Sequence, residues 1–229
     1  AIIITGPNTG GKTITLKTLG IIQLMGQSGL FIPAEEGSTI GIFDNVFADI
    51  GDEQSLEQNL STFSGHMDGV KAILEQITSR SIVLLDELGA GTDPKEGAAL
   101  AMAILDNIGS KGTMVVITTH YPELKVYGYD RAKTINASME FDQETLKPTY
   151  KLLLGIPGRS NGLEIAQRLG INPQVIDEAR TFVSDDSQDL NNMIGDLVEQ
   201  RKKAREESER LAKLVAKNEK VQRDLDEKL

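Results

Sequence analysis

Eight residues near the start of the chain, Gly6-Pro7-Asn8-Thr9-Gly10-Gly11-Lys12-Thr13, bring together what a polyphosphate requires. Glycines let successive backbone N–H groups curl around phosphate oxygens. Lys12 can reach β- and γ-phosphates, and the Thr13 hydroxyl can ligate Mg²⁺. A helix opening at this point adds its positive N-terminal dipole to the same anion site. A glycine turn can match the pattern by chance. The setting argues otherwise: the apolar run Ala1-Ile2-Ile3-Ile4 leads straight into it, giving strand, glycine turn and helix. This is a phosphate loop for a nucleoside triphosphate, ATP or GTP.

A second cluster lies 73 residues beyond Thr13, where Ile82-Val83-Leu84-Leu85 ends in Asp86-Glu87. Asp86 is placed to hold Mg²⁺, directly or through water, since Mg²⁺ takes one or two carboxylates beside phosphate oxygens. Glu87, one residue on, points elsewhere and can polarise an attacking water. Acids can also end a strand merely by reaching the surface, but the upstream phosphate loop favours the chemical reading. His120, in Thr118-Thr119-His120-Tyr121, closes another apolar strand and can donate a hydrogen bond to a γ-phosphate. A lone histidine is more often structural, and the end of an α/β core strand is the better of its possible places. Gly89-Ala90-Gly91-Thr92-Asp93-Pro94 is a flexible connection into a helix that Thr92 or Asp93 caps. In Leu60-Ser61-Thr62-Phe63-Ser64-Gly65-His66-Met67, Ser61 or Thr62 caps a helix whose start is also a donor cluster for phosphate. That cluster need not face its own nucleotide.

The elements that must position these residues follow from periodicity. Helices are expected over 14–25, from 61 or 62 to about 79, and over 95–108. The first has Ile14, Leu16, Leu19 and Ile22 among its apolar positions, and the second has Met67, Val70, Ile73, Leu74 and Ile77 on one face. One or two strands are expected within 38–50, with a polar loop from Gly51 to Leu60. Runs 81–86 and 113–118 read as fully buried parallel strands. Strand and helix in alternation give an α/β fold, a mostly parallel sheet flanked by helices, whose polar residues gather at the carboxyl edge. A hairpin spans Ser138 to Leu154, with Glu140-Phe141-Asp142 and Thr149-Tyr150-Lys151-Leu152 as arms. Two short helices, 163–169 and 173–183, and a charged helical tail from Asp189 follow. In the tail Leu190, Ile194, Leu197, Ala204 and Leu211 fit a heptad frame that Arg201 and Ser208 interrupt, which favours a solvated helix over a coiled coil.

Composition narrows the class. The chain has 229 residues, no cysteine and two histidines, which excludes disulfides, thiolate metal sites and a histidine-rich zinc site. Nothing approaches the ~20 apolar residues of a membrane span, so a soluble, cytoplasmic protein with no membrane partner is expected. The net charge is −10, and residues 196–229 carry +1 of it, leaving −11 on the body. A body this acidic is a poor surface for nucleic-acid phosphates. The chain opens inside its first core strand without a methionine, as an excised piece of a longer protein would.

In this order the motifs resemble those of the ABC-type P-loop ATPases. Gly6-Pro7-Asn8-x-Gly10-Gly11-Lys12, Ser61-Thr62-Phe63 and Asp86-Glu87-x-Gly89-x-Gly91-Thr92 narrow the resemblance to the MutS family. Thr9, Asp52-Glu53-Gln54-Ser55 and Asp93-Pro94 are similar to its second branch, MutS type two. The mismatch-repair branch usually has methionine in the loop, and arginine where Leu60 precedes Ser61.

The resemblance implies a composite active site in a homodimer. Gly6, Pro7, Asn8, Thr9, Gly10, Gly11, Lys12 and Thr13 would hold ATP, with Thr13 and Asp86 on Mg²⁺ and with Lys12, Glu87 and His120 catalytic. Ser61 would cap the γ-phosphate of the opposite subunit, and the Gly89–Asp93 loop would lie across the same interface. Gln54 would sense Mg²⁺ and the attacking water. It further implies an ATPase core over 1–155, a dimerising helical pair over 156–185 and a charged linker helix over 186–229. Domains outside this chain, in this branch often including a C-terminal nuclease, would reach branched DNA to suppress recombination, or stalled ribosomes. The alternatives are a structural clamp with negligible turnover and an SMC-like ATPase head. A transporter subunit ranks last, since it expects Leu-Ser-Gly-Gly-Gln where Leu60-Ser61-Thr62-Phe63-Ser64 stands. A GTPase would need an Asn-Lys-x-Asp motif, which the chain lacks.

Overall fold

A computed structural model describes residues 1–6, 10–51, 62–142, 147–158 and 162–182, together with Glu207, Arg210, Leu211, Leu214 and Val215. The chain divides into two compact units, Ala1–Phe182 and Val183–Leu229. The five described residues of the second unit are helical. The rest of the expected heptad tail lies outside the described residues.

The first unit is a six-stranded sheet in the order β2-β3-β4-β1-β5-β6. Its strands are β1 (Ile2–Thr5), β2 (Asn45–Asp49), β3 (Ser81–Leu85), β4 (Met114–Thr118), β5 (Ile135–Asp142) and β6 (Lys147–Leu154). All neighbours run parallel except β5 and β6, which pair antiparallel with a bulge between Met139 and Phe141. The helices are α1 (Lys12–Gln27), α2 (Thr62–Gln76), α3 (Pro94–Ser110), α4 (Pro122–Asp130), α5 (Gly162–Arg168) and α6 (Pro173–Phe182). The expected fold, a mostly parallel α/β sheet flanked by helices, is the observed one.

Alternation along the strands assigns the faces. Ile4, Ile82, Leu84 and Val116 face α1 and pack with Leu16, while Ile3, Val83, Leu85, Val115 and Ile117 face the other helices. On that second side lie Val70 and Ile73 of α2 with Ile77 just after it, Ala101, Ile104 and Ile108 of α3, and Leu124 of α4. All five residues of β3 are buried, because both of its faces are covered. The acids that follow it therefore leave a rigid strand. Asp93 caps α3, its carboxylate accepting from the Lys95 and Glu96 N–H groups, with Pro94 in the first helical turn. Such a cap is worth about 1 kcal/mol.

Of the one or two strands expected within 38–50, one is present, β2, and residues 38–43 do not form a second. Their backbone groups are taken by α1 side chains instead: Gln27 accepts from the Phe43 N–H at 2.8 Å and donates to its carbonyl at 2.9 Å, and Gln23 donates to the Gly41 carbonyl. Ile14 is 53 % exposed, because the buried stripe of α1 runs through Lys12, Leu16, Gly20 and Gln23. α2 stops at Gln76, where a Thr78–Ser81 turn bonds through both side-chain hydroxyls and redirects the chain into β3. β5 begins at Ile135, three residues before Ser138, where the hairpin was expected to start, and pairs in parallel with β1 from Ile2↔Ile135 onwards. Helix α4 had no counterpart among the expected elements: it is nine residues long, and the Tyr121 side chain does not cap it. Among the described residues no helix is long and apolar enough to cross a membrane.

Candidate phosphate and metal site

Three strand ends meet at the carboxyl edge of the sheet. β1 runs into Gly6, whose φ of 131° suits glycine, and the loop closes at Gly11, which has φ 88° and precedes α1. Its cap residue, Gly11, has no side chain to take up the first N–H groups of the helix, and such a helix start suits an anion. Lys12 is 2 % exposed and its ammonium donates to the Gly6 carbonyl at 2.6 Å. Burial pushes its pKa below the usual lysine range, while Glu87 and then Asp86 pull it back up. In α4, Lys125 is also buried, and burial first and the Lys12 charge second depress it. Two crowded cations short of solvent make a place where added negative charge is favoured.

Asp86 is fixed from three directions. Its N–H donates to the Asp49 carbonyl at 2.9 Å. One carboxylate oxygen accepts from the Thr13 hydroxyl at 2.7 Å and the other from the Thr118 hydroxyl. Thr118 also accepts from the Glu87 N–H at 2.9 Å, so one buried threonine at the end of β4 orients both acids. Glu87 takes φ 46°, a left-handed conformation costing about 1–2 kcal/mol for a residue with a side chain. The kink turns Glu87 out of the line of β3.

His120, at the end of β4, is exposed, and its ring lies 4.6 Å from that of Tyr121. It makes no hydrogen bond to Lys12, Asp86 or Glu87 among the described residues. Tyr121 donates to the Gly89 carbonyl at 2.9 Å, and burial, with Glu87 next in weight, raises its pKa. Gly89 and Gly97 are in backbone contact that a Cβ on either would break, which ties the 89–93 loop to α3.

The structure thus unites Gly6, Gly10, Gly11, Lys12, Thr13, Asp86 and Glu87 around one edge, with His120 on the adjoining strand end. Pro7, Asn8, Thr9, Gln54 and Ser61, and with them the Gly51–Leu60 loop beyond its first residue, lie outside the described residues. Sequence reasoning missed Thr118, which reads as an ordinary strand residue, and Tyr150. Tyr150 is exposed at φ 59° on β6, and a Cβ on Gly11 would come within 3.1 Å of its ring. Gly158 completes the surround: its N–H donates to the Thr5 hydroxyl at 2.7 Å, and its bare Cα rests against Thr5 and Gly6.

Among the described residues no cluster of three or more His, Cys, Asp or Glu could hold a metal by itself. A hydroxyl and a carboxylate oxygen 2.7 Å apart are nevertheless a fitting pair for Mg²⁺, which keeps several waters and takes its other ligands from phosphate.

Residues 2–185 match the family model for MutS domain V. Among curated proteins, the chain is 67 % identical over 225 residues to the endonuclease MutS2 of Lactiplantibacillus plantarum, covering 98 % of this chain and 29 % of that protein. It is 64 % identical over 226 residues to the endonuclease MutS2 of Ligilactobacillus salivarius, covering 99 % and 29 %. Against the endonuclease MutS2 of Enterococcus faecalis the identity is 66 % over 207 residues, covering 90 % and 26 %. The chain therefore spans less than a third of the length of these relatives.

Proposed function

The chain belongs to the MutS family as its domain V, and from that premise we propose that it binds and hydrolyses Mg²⁺–ATP as the motor of a MutS type two protein. The observation that carries this reading is the contact between Thr13 and Asp86. It joins the phosphate loop to the acid strand across 73 residues of sequence. The fold is that of a P-loop NTPase, and the finer assignment to the ABC type rests on the motif order.

In this reading the open start of α1 and Lys12 bind the β- and γ-phosphates. Thr13 and Asp86 hold Mg²⁺, which when bound neutralises charge developing on the phosphates. Glu87, held off the strand line by its left-handed backbone and by Thr118, orients and deprotonates the attacking water. His120 donates to the γ-phosphate, and Tyr150 offers an aromatic face to the base. Ser61 caps the γ-phosphate of a second copy, the 89–93 loop lies in the same interface, and Gln54 senses the metal. ATP then holds a homodimer together and hydrolysis loosens it. Branched DNA or a stalled ribosome is engaged through parts of the longer protein beyond this chain, as is any nuclease activity. The acidic charge of this body supports that division.

The test is phosphate release and solution mass with Mg²⁺ and ATP. Turnover by this chain that Glu87→Gln abolishes, with a dimer of that variant on ATP but not on ADP, is the expected result. ATP bound with no turnover would leave a clamp instead of an ATPase.

A further inference from the structure

We propose that the Asp49–His66 pair is a positioning link that carries occupancy of the metal site to the amino end of α2, the helix that follows Ser61. The proposal rests on the ATPase reading and adds a route between its two halves.

Asp49 is the last residue of β2 and is used twice. Its carbonyl takes the Asp86 N–H at 2.9 Å, and its carboxylate meets His66 Nδ1 at 2.8 Å. The same carboxylate lies close to the next turn of α2, where a Cβ on Gly69 would come within 3.3 Å of it. The imidazole is wedged on its other side against Gly51, where a Cβ would come within 2.7 Å of the ring.

Among the described residues, the amino end of α2 has few other attachments. The first fully buried side chain among the described residues of the helix is Val70, in its third turn. Before that, Met67 is partly buried, and Phe63 touches Gly91, where a Cβ would come within 3.2 Å of the Phe63 Cβ. Both polar and apolar attachments lead back to the acid pair: Asp49 by one hydrogen bond to Asp86, and Gly91 by four residues of chain from Glu87. A shift of Asp86 on taking up a metal must therefore be felt by α2 through one or both. A side-chain pair 28 % and 22 % exposed is yielding enough to move and close enough to transmit the movement.

The chain has only two histidines, so the imidazole nitrogens of His66 can be followed by NMR in this chain, assigned by their loss in His66→Asn. Nucleotide occupancy is measured on the same sample by equilibrium dialysis. Mg²⁺–ATP binding is expected to move the His66 Nδ1 resonance, and Asp49→Ala to remove that response. In turnover, His66→Ala is expected to lower kcat roughly tenfold while the Kd for ATP stays within about twofold. His66→Asn, which keeps an N–H donor near the position of Nδ1, should recover most of the loss. Bound nucleotide with unmoved His66 resonances overturns the link and leaves the ATPase reading intact. Equal kcat in the alanine and asparagine variants also overturns it. Failure of the chain to bind nucleotide removes both.

Discussion

On the α1 side of the sheet, Lys12 and Asp86 are buried, and Asp86 is held by three hydrogen bonds. On the α2 side, among the described residues, the helix that follows Ser61 is held at its amino end by the partly exposed Asp49–His66 hydrogen bond, by Phe63 and by the partly buried Met67. Lys12, Thr118 and Asp86 are each less than a tenth exposed, and Asp86 alone has partners on α1, β2 and β4. Position there is over-determined, as charge-stabilising groups require when they act without reorganising. The start of α2 buries less, and few buried contacts are the condition for a part that responds to the first. The difference separates a place for chemistry from a place for signalling within one unit of the chain.

Breaking the rigid side should give the largest effects. Lys12→Ala removes the buried cation nearest the loop and is expected to reduce ATP binding by a hundredfold or more, read by equilibrium dialysis (order of magnitude from charge-assisted contacts in a desolvated site). Glu87→Gln keeps the shape and the phosphate contacts, so ATP affinity should stay within a few-fold while turnover falls by ~10²-fold or more. If both variants lost affinity equally, Glu87 would be a binding group and not a water-activating one. Ser61→Ala sharpens the contrast from the other side: nucleotide binding by the monomer is expected to survive while the ATP-dependent dimer weakens, measured by sedimentation.

How much of this contrast is visible in sequence depends on how local each feature is. The phosphate loop is one octapeptide and the acids end one apolar run, so spacing alone locates them. Thr118 is different. A threonine is what any buried strand contains, and its double service to Asp86 and Glu87 exists only because β3 and β4 are neighbours in register. Tyr150 reads as one arm of a hairpin, and its nearness to Gly11 comes from β6 closing the sheet beyond β5. Asp49 and His66 are 17 residues apart on a strand and a helix, and no local period couples them. Residues 38–43 mislead for the opposite reason. Their alternation is real, but two glutamines of α1 supply the hydrogen bonds that a strand partner would have given.

Two glycines give the smaller tests, and they bracket the comparison in stability instead of activity. Gly89→Ala sits at φ 87° with the Gly97 backbone where its methyl would go, so a loss of about 2–3 kcal/mol is expected in denaturant unfolding. Because Gly89 is tied to Tyr121 and α3, that loss should come with impaired turnover.

Gly109→Ala is the control and the smallest effect. Gly109 lies in the last turn of α3, remote from the carboxyl edge, and an added Cβ there meets nothing within 4 Å. Its φ is not in the left-handed range, so alanine enters without strain and removes conformational entropy from the unfolded chain. A gain of about 0.5–1 kcal/mol is expected, with turnover unchanged. A gain in stability that also slowed turnover would mean that the far end of α3 moves during the cycle. In that case the division between a rigid phosphate side and a responsive α2 side would have to be redrawn to include α3.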